Sequence, residues 1–288
     1  LEGRQRIILL YGLSFFIYAL LAWQWMEHGY RFFCRQGWFG FNYRGEKTVQ
    51  GVGMYLFIHY LLYIVIVESV HFLWDRSFFP FPSSVWLFVF LSFCLAGIGW
   101  IDDRWGEVTV KGFKGHLSRF FRKKEVTTGL QKAAVGLICA LLVCLPVSSS
   151  LGEYGLRVLA MVLSIHVFNL LDVRPGRAIK SFWLFTLSLL PFLSPQLFGH
   201  LLLPLFLATV VLFRYDRLRL AMLGDTGSLT LGGSFGFQLI NDAPLFLVAV
   251  WTAIFFTLTV VAEKRSISVM IDQTKWLSKL DRWGIARK

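Results

Sequence analysis

Acidic side chains at the ends of long apolar runs are the residues of this sequence best suited to chemistry. Asp102 and Asp103 end one such run, Asp172 ends a second, and Asp225 opens a third. Ionisable groups at membrane depth or at its edge are costly, and they usually mark a functional site or lie at the interface. If the three helix ends converge, three or four carboxylates share one cleft.

Carboxylates in such a cleft repel one another unless a cation or a shared proton compensates their charge. Oxygen ligands without histidine or cysteine favour Mg²⁺, with Mn²⁺ as an alternative, and Mg²⁺ commonly joins one or two carboxylates to substrate phosphates. Nearby lysines and arginines suit a pyrophosphate. The pattern therefore predicts phosphoryl transfer on a membrane substrate. The competing interpretation is that each aspartate only caps a helix, since Asp225 precedes Thr226 at an N-cap position.

The elements that must position these residues are membrane helices. Of the 288 residues, 56% are hydrophobic and 16% are charged, whereas soluble domains have roughly 45–50% apolar and about 25% charged residues. This composition excludes a soluble globular protein and a disordered chain. A helix needs about 20 mostly apolar residues to cross the hydrocarbon, and the sequence predicts an all-α, polytopic membrane bundle of nine helices. The nine runs are residues 7–26, 52–72, 84–101, 128–146, 155–171, 181–194, 197–213, 225–240 and 244–262.

The basic residues predict the orientation of this bundle. Of the 29 lysines and arginines, 24 fall in or beside the connections on one side of the nine predicted spans. The positive-inside rule then places the N-terminus outside, and the C-terminus and the acidic cleft in the cytoplasm. The net charge of +12 follows from this topology, so we expect no nucleic-acid partner.

Two cytoplasmic stretches are predicted to be interfacial helices within a single membrane domain of residues 1–288. Residues 109–124 and 266–288 combine apolar residues with interleaved lysines and arginines, a pattern typical of helices that lie on an anionic lipid surface. A solvated basic loop is the alternative for each stretch. We therefore expect the chain to contact anionic membrane lipids.

Four motifs follow one another in this topology. The first is the loop of residues 42–53 with its glycine pair, Gly51 and Gly53. The others are Asp102-Asp103 followed by Lys132, then Asn169-Leu170-Leu171-Asp172, then Gly224-Asp225-Thr226-Gly227-Ser228 with Leu231-Gly232. In this order they resemble the motifs of the polyprenyl-phosphate N-acetylhexosamine-1-phosphate transferases, the family that contains phospho-MurNAc-pentapeptide transferase and the GlcNAc-1-phosphate transferases. The resemblance covers residues 42–262.

The resemblance implies a Mg²⁺-dependent phosphotransferase of the bacterial cytoplasmic (inner) membrane, with a cytoplasmic active site and a part in cell-wall biogenesis. The oxygen of a polyprenyl phosphate would attack the proximal phosphorus of a UDP-sugar, giving a lipid-pyrophosphate-sugar and releasing UMP. Catalysis of this kind is mostly positioning and charge neutralisation. The polyprenyl phosphate and the nucleotide sugar are then the expected partners, and a homodimer is one expected assembly.

The resemblance also implies a role for each motif residue. Asp225 would bind Mg²⁺ together with Asp102, and Asp102 or Asp103 would bind or deprotonate the lipid phosphate. Asp172 would position the nucleotide pyrophosphate with the help of Asn169. The other substrate-binding candidates are Gly51, Gly53, Lys111, Lys132, His166, Arg174 and Arg177.

The resemblance implies a separate role for Lys132, whereas two roles are open for His166. Lys132 would hold phosphate charge. His166 stands one helical turn before Asn169, where it would contact a phosphate or simply pack inside the bundle.

The sequence departs from the family pattern after Asp172. Pro175 replaces the second aspartate of the family's motif, and Arg174 and Arg177 add positive charge. No histidine follows His200, so the family's His-rich motif is absent. We therefore expect a donor other than the usual UDP-GlcNAc or UDP-MurNAc-pentapeptide, or one held more by arginine. Anchoring of both arginines to lipid headgroups is the alternative.

Two other functions stay open at this point. A catalytically inactive relative would bind lipid phosphate or act as an assembly partner in cell-envelope synthesis. A transporter would use the acidic residues as an ion relay, although transporters place such groups near the middle of the membrane. The position of the aspartates at helix ends favours an enzyme.

Overall fold

The computed structural model describes residues 2–75, 81–106 and 124–285, which form eleven helices and one two-stranded hairpin. The helices are α1 (Glu2–Arg35), α2 (Met54–Asp75), α3 (Ser83–Trp105), α4 (Thr128–Cys144), α5 (Leu151–Leu171), α6 (Arg177–Leu189), α7 (Pro195–Arg217), α8 (Gly224–Asp242), α9 (Leu245–Lys264), α10 (Ile267–Gln273) and α11 (Lys275–Arg282). The hairpin consists of β1 (Phe39–Phe41) and β2 (Lys47–Val49), paired antiparallel. The predicted helical class is thus confirmed for the described residues, apart from this small hairpin.

Seven of these helices, α1 to α5, α7 and α9, are long and apolar enough to cross a membrane. Each of the nine predicted runs overlaps one of the helices α1 to α9, but α6 and α8 fall outside the set of seven. α6 has 13 residues, fewer than the about 20 that a straight crossing requires. α8 has 19 residues and is rich in glycine, serine and threonine.

α8 lies in the middle of the bundle because its glycines let two neighbours approach closely. Every residue at positions 226–240 is buried. A Cβ atom on Gly233 would lie 2.3 Å from Leu95 of α3, and one on Gly232 would lie 2.7 Å from the Cα atom of Ile165 in α5. Small residues at such contacts are typical of helix packing in membranes. α8 is therefore enclosed by protein rather than lipid, which explains why its composition is less apolar.

The loop that follows α1 folds onto the start of α8. The backbone N–H of Met222 donates to the carbonyl of Val49 in β2 at 2.8 Å. Gly51 then turns the chain with a φ of +77°, a left-handed conformation that favours glycine. A Cβ atom on Gly53 would lie 2.2 Å from the backbone nitrogen of Gly227. The predicted glycine pair therefore sets how closely this loop packs on α8.

Helix ends of alternating direction meet at one end of the bundle, which contains Asp102, Asp172 and Asp225 and which we call the carboxylate end. The C-termini of α3, α5 and α7 lie there with the N-termini of α4, α6 and α8, as the hydrogen bonds between their end residues show. At the opposite end, the Ser194 N–H donates to Asp242 Oδ2 at 2.7 Å. The predicted convergence of acidic helix ends is thus present in the structure.

The predicted interfacial stretch at residues 266–288 contains α10 and α11. Lys180 of α6 donates to backbone carbonyls of α11, and Arg177 at the start of α6 donates to Ser268 of α10. Its placement on a lipid surface stays a prediction. The other predicted interfacial stretch, residues 109–124, lies outside the described residues except for Lys124, and the candidate Lys111 lies outside them too.

Candidate functional site

Asp103 holds the start of α8 in place. Its Oδ1 accepts the backbone N–H of Asp225 at 2.9 Å, and its Oδ2 accepts the N–H of Thr226 at 3.1 Å and the Thr226 hydroxyl at 2.5 Å. Gly224 has a φ of +69°, and a Cβ atom there would lie 2.6 Å from Asp103 Oδ2. The first N–H groups of a helix need such acceptors. The cap is therefore Asp103, and the interpretation of Asp225 as the N-cap is wrong.

Lys132 joins two of the predicted catalytic aspartates. Its Nζ, in the first turns of α4, donates to Asp102 Oδ2 at 2.7 Å and also to Asp225 Oδ2. Asp102 and Asp225 keep 17% and 22% of their side chains exposed, so a ligand can reach them. Three helices thus bring two carboxylates onto one ammonium, which leaves an excess of negative charge.

Asp172 belongs to the same group. Its backbone N–H ends α5 by donating to the carbonyls of Phe168 and Asn169 at 3.2 and 3.3 Å. Removal from water, together with repulsion from Asp216 and Asp225, raises the pKa of the Asp172 carboxyl well above its ordinary value. Asp172 therefore lies within electrostatic range of Asp225 and Asp103. We call Asp102, Asp103, Asp172 and Asp225, with Lys132, the carboxylate cluster.

Asn169 and His166 lie on the last turns of α5 beside this cluster. Asn169 Oδ1 accepts a hydrogen bond from the Ser228 hydroxyl at 3.4 Å, which ties the Asn-x-x-Asp segment to α8. His166 is partly buried and lies within electrostatic range of Lys132 and Glu263. Both residues are therefore near the cluster, and their contact with a substrate phosphate stays a prediction.

Asp216 is a member of this region that the sequence reasoning missed. It lies in the last turns of α7, is 4% exposed, and its Oδ2 accepts the backbone N–H of Gly176 at 2.6 Å. Gly176, with a φ of +72°, is the residue before α6. The signal was present, because Asp216 also ends an apolar run. Its neighbours Arg214 and Arg217 gave it the pattern of a solvated helix end.

Arg174 and Arg177 bind carboxylates of the C-terminal helices α10 and α11 rather than those of the carboxylate cluster. Arg174 donates both terminal nitrogens to the Asp272 carboxylate at 3.0 and 2.6 Å. Arg177 donates its Nε and Nη2 to Asp281 at 2.7 and 2.9 Å, and its Nη1 to Ser268 at 2.9 Å. With 4% of the Arg177 side chain and 7% of the Asp281 side chain exposed, this second pair is buried. The protein itself therefore supplies carboxylate partners for both predicted donor-binding arginines.

The two predicted glycines of the first loop, Gly51 and Gly53, allow close backbone packing beside the carboxylate cluster. The close contact of Gly53 with Gly227 packs the loop beside Asp225, two residues earlier. Gly51 packs near the indole of Trp100, two residues before Asp102. Both glycines therefore pack against residues that neighbour the cluster in sequence. Their substrate-binding role stays a prediction.

The donor set of the cluster fits a hard divalent cation. Asp102 and Asp225 converge on a single positive charge, so they offer carboxylate oxygens to a cation in the same place. Mg²⁺ is commonly held by only one or two carboxylates, with water and phosphate oxygens as its other ligands. Both oxygens of Asp103 already accept hydrogen bonds from the start of α8, so we do not count Asp103 among the ligands. Within the described part of the chain, no three His, Cys, Asp or Glu side chains form a ready-made metal site.

No family model matches the chain, and no curated protein matches it either. The family resemblance therefore rests on the four motifs alone. The geometry of the carboxylate cluster is an observation independent of those motifs' resemblance to the family.

Proposed function

We propose that the chain is a Mg²⁺-dependent phosphotransferase that moves a sugar-1-phosphate from a UDP-activated amino sugar to a polyprenyl phosphate and releases UMP. One observation carries this proposal. Lys132 and the carboxylates of Asp102 and Asp225 converge from three helices at one end of a helical membrane bundle. A lipid phosphate and a water-soluble donor can meet only at such an end.

Asp102 and Asp225 would hold Mg²⁺, and phosphate oxygens of the substrates would complete its ligands. When bound, the ion would neutralise charge on the phosphates and make the phosphorus more open to attack. Lys132 lies between the same two carboxylates, so its ammonium is placed to bind phosphate oxygens beside the metal. Asn169 and Asp172 would orient the pyrophosphate of the donor.

The nucleophile in this reaction is an oxygen of the lipid phosphate. A phosphate monoester loses its second proton near pH 6, so it needs little help from a base at neutral pH. Its oxygen bonds to the sugar-bearing phosphorus while the bond from that phosphorus to the bridging oxygen of UMP breaks. The cluster therefore acts by binding and orientation, and Asp103 is a positioning residue that fixes α8 beneath Asp225.

We place the carboxylate end in the cytoplasm of a bacterial cell, with nine crossings, the N-terminus outside and the C-terminus inside. The 24 basic residues on this side support the orientation. A reporter fused after Lys288 should read as cytoplasmic, and one inserted near Ser149 as external. An external reading after Lys288 would contradict the orientation.

Lys132 also supports a second candidate function. Its ammonium compensates Asp102 and Asp225 directly, so the cluster can persist without a divalent cation. A relative that has lost catalysis, and that binds lipid phosphate or acts as an assembly partner in cell-envelope synthesis, would keep this arrangement.

One experiment separates the two functions. The purified protein is incubated with undecaprenyl phosphate, Mg²⁺ and a panel of nucleotide sugars, and the lipid fraction is analysed by mass spectrometry. The transferase predicts a lipid-pyrophosphate-sugar that disappears when EDTA is added. Retained binding of undecaprenyl phosphate with no product from any donor would favour the inactive relative.

A further inference from the structure

A large basic cleft lies at the carboxylate end but shares no lining residue with the carboxylate cluster. Its volume is about 1120 Å³, and five parts of the chain line it: the turn of the hairpin at Tyr43 and Arg44, the segment Arg174 and Pro175, Arg219 between α7 and α8, Asp272 of α10, and α11 with the residues that follow it. Ligand sites in proteins are typically clefts of about 300–1,000 Å³. The cleft is therefore large enough for a small molecule or a lipid headgroup.

The charge of the cleft is strongly positive. Among the described residues, six basic side chains and two acidic ones line it, which is a formal excess of four positive charges. The two acidic residues, Asp272 and Asp281, pair with Arg174 and Arg177. Asp272 also lies 3.8 Å from Arg282. In the part of the chain that the structure describes, the positive charge that has no such carboxylate contact includes Lys275 and Lys279, and an anion would relieve the repulsion between them.

α11 presents three distinct faces, which explains how the cleft is built. Its buried face carries Asp281, held by Arg177. Its cleft face carries Lys275, Lys279 and Arg282, at the spacing of four and three residues that puts side chains on one side of a helix. Within the described chain, Lys275 and Lys279 form no ion pair, and both are exposed. The cleft thus has a fixed wall and two uncompensated ammonium groups.

The third face of α11 carries exposed Trp276 and Leu280, with 68% and 47% of their surface accessible. Aromatic and aliphatic side chains beside lysines are typical of a helix at a lipid interface. A lipid headgroup could therefore reach the cleft from this side. On its other side, Arg174 follows Asp172 by two residues, so a soluble phosphate compound near the cluster could reach it as well.

We propose that this cleft is a binding site for a phosphate-bearing anion, held by Lys275 and Lys279 of α11 opposite Arg44 and the Arg174 segment. Phosphate oxygens accept charge-assisted hydrogen bonds from both ammonium and guanidinium groups. The ligand is either the headgroup of an anionic phospholipid or a soluble pyrophosphate compound. The site goes beyond the proposed transferase reaction, because none of its lining residues belongs to the carboxylate cluster.

The test uses the full chain in lipid nanodiscs and has two arms. In phosphatidylcholine nanodiscs, inorganic pyrophosphate is titrated by calorimetry. In nanodiscs that also contain phosphatidylglycerol, native mass spectrometry measures how many phosphatidylglycerol molecules stay bound. The cleft variant is Lys275→Gln with Lys279→Gln. The control is Lys47→Gln with Lys264→Gln, which removes the same charge from exposed positions outside the cleft.

Saturable binding is expected in one arm or in both, and the arm identifies the source of the phosphate. The cleft variant should weaken that binding at least about ten-fold, as the loss of two charge-assisted contacts predicts, while the control changes it less than about two-fold. Asp225→Asn should leave the binding unchanged, so a failure of the transferase proposal does not decide this one. Equal losses in the cleft and control variants, or no saturable binding in either arm, would overturn the proposal.

Discussion

Two groups of ion pairs lie at the carboxylate end, and they are built in opposite ways. Beside α11, Arg174 and Arg177 pair chiefly with Asp272 and Asp281, and longer contacts of 3.8 Å join Arg174 to Asp281 and Arg282 to Asp272. In the carboxylate cluster, one ammonium serves Asp102 and Asp225, and the carboxyls of Asp103 and Asp172 lie nearby. In the first group every carboxylate therefore has at least one guanidinium, whereas in the second two carboxylates share a single ammonium.

The pKa directions show the same contrast. The hydrogen bonds and charge of Arg174 lower the pKa of Asp272. Removal from water and the nearby carboxyls of Asp216 and Asp225 raise the pKa of Asp172. A balanced group gains nothing from a further cation, but an unbalanced group is stabilised by one. The arginine pairs therefore dock the C-terminal helices, and the cluster is the place where the proposed cation would be most stabilising.

The largest expected effect is on turnover. Asp225→Asn keeps the shape of the side chain but removes its charge, so it should lower sugar-phosphate transfer at least about 100-fold. The matched control is Asp242→Asn, the same change at the opposite end of α8, which should retain activity. Product formation by both variants is measured by mass spectrometry. Unchanged turnover in Asp225→Asn would show that the cluster is not the catalytic site.

Breaking the buried arginine pair should free the C-terminal helices. Arg177→Leu leaves the buried Asp281 carboxylate with only Arg174 nearby, at 3.8 Å, and the loss of its hydrogen-bonded partner should cost up to about 3–5 kcal/mol. Hydrogen exchange in α10 and α11 should then increase strongly. Arg174→Leu removes a half-exposed pair with Asp272, worth about 0–1 kcal/mol, and should change this exchange little.

A double variant tests the role of the Arg177–Asp281 pair separately from the single substitution Arg177→Leu. Arg177→Leu combined with Asp281→Leu replaces the pair by apolar side chains, which is often close to neutral in stability. Slow hydrogen exchange should therefore return. If both arginine variants loosen the helices equally, burial does not distinguish the two pairs.

Loss of the cap on α8 should destabilise the bundle. Asp103→Ala leaves the N–H groups of Asp225 and Thr226 without their acceptor, and an unsatisfied buried donor costs about 1–3 kcal/mol. Asp103→Asn keeps one acceptor oxygen and should cost less. Thermal unfolding in detergent measures both. Equal stability of Asp103→Ala and the unmodified protein would contradict the capping role.

The smallest effect concerns pH. Because the pKa of Asp172 is raised in the folded protein, the folded state holds a proton there that the unfolded state has released. Stability therefore falls as the pH rises from the unfolded pKa of about 3.9 toward the folded value. Asp172→Asn should be more stable than the unmodified protein at the upper end of this range, with the difference vanishing near pH 4. Added Mg²⁺ should reduce the difference, because it stabilises the ionised carboxyl.

The convergence of the acidic helix ends could be predicted because it depends on local facts. Each aspartate stands at the end of an apolar run, and alternating helices bring such ends to one side. The division of labour within the cluster could not be predicted. Asp102 and Asp103 are adjacent in sequence, yet one faces Lys132 and the other caps α8, because successive side chains on a helix point in directions about 100° apart.

The partners of the two arginines were also beyond prediction. Arg174 and Arg177 bind carboxylates 98 and 104 residues away, in helices that the sequence placed only as interfacial. The neighbouring sequence of an arginine does not show whether it binds a substrate phosphate or pairs with an aspartate that is distant in sequence. Only the packing of α10 and α11 against α6 decides between them.

The enclosure of α8 has a consequence for how the chain is made. A helix with five buried hydroxyl or amide side chains and glycines at its contacts gains little from lipid, so it is poorly suited to enter the bilayer alone. Its neighbours α3 and α5 precede it in the chain, so they are synthesised before it. We therefore expect α8 to insert by joining a groove that already exists, which makes assembly of the carboxylate end one of the last steps of biogenesis.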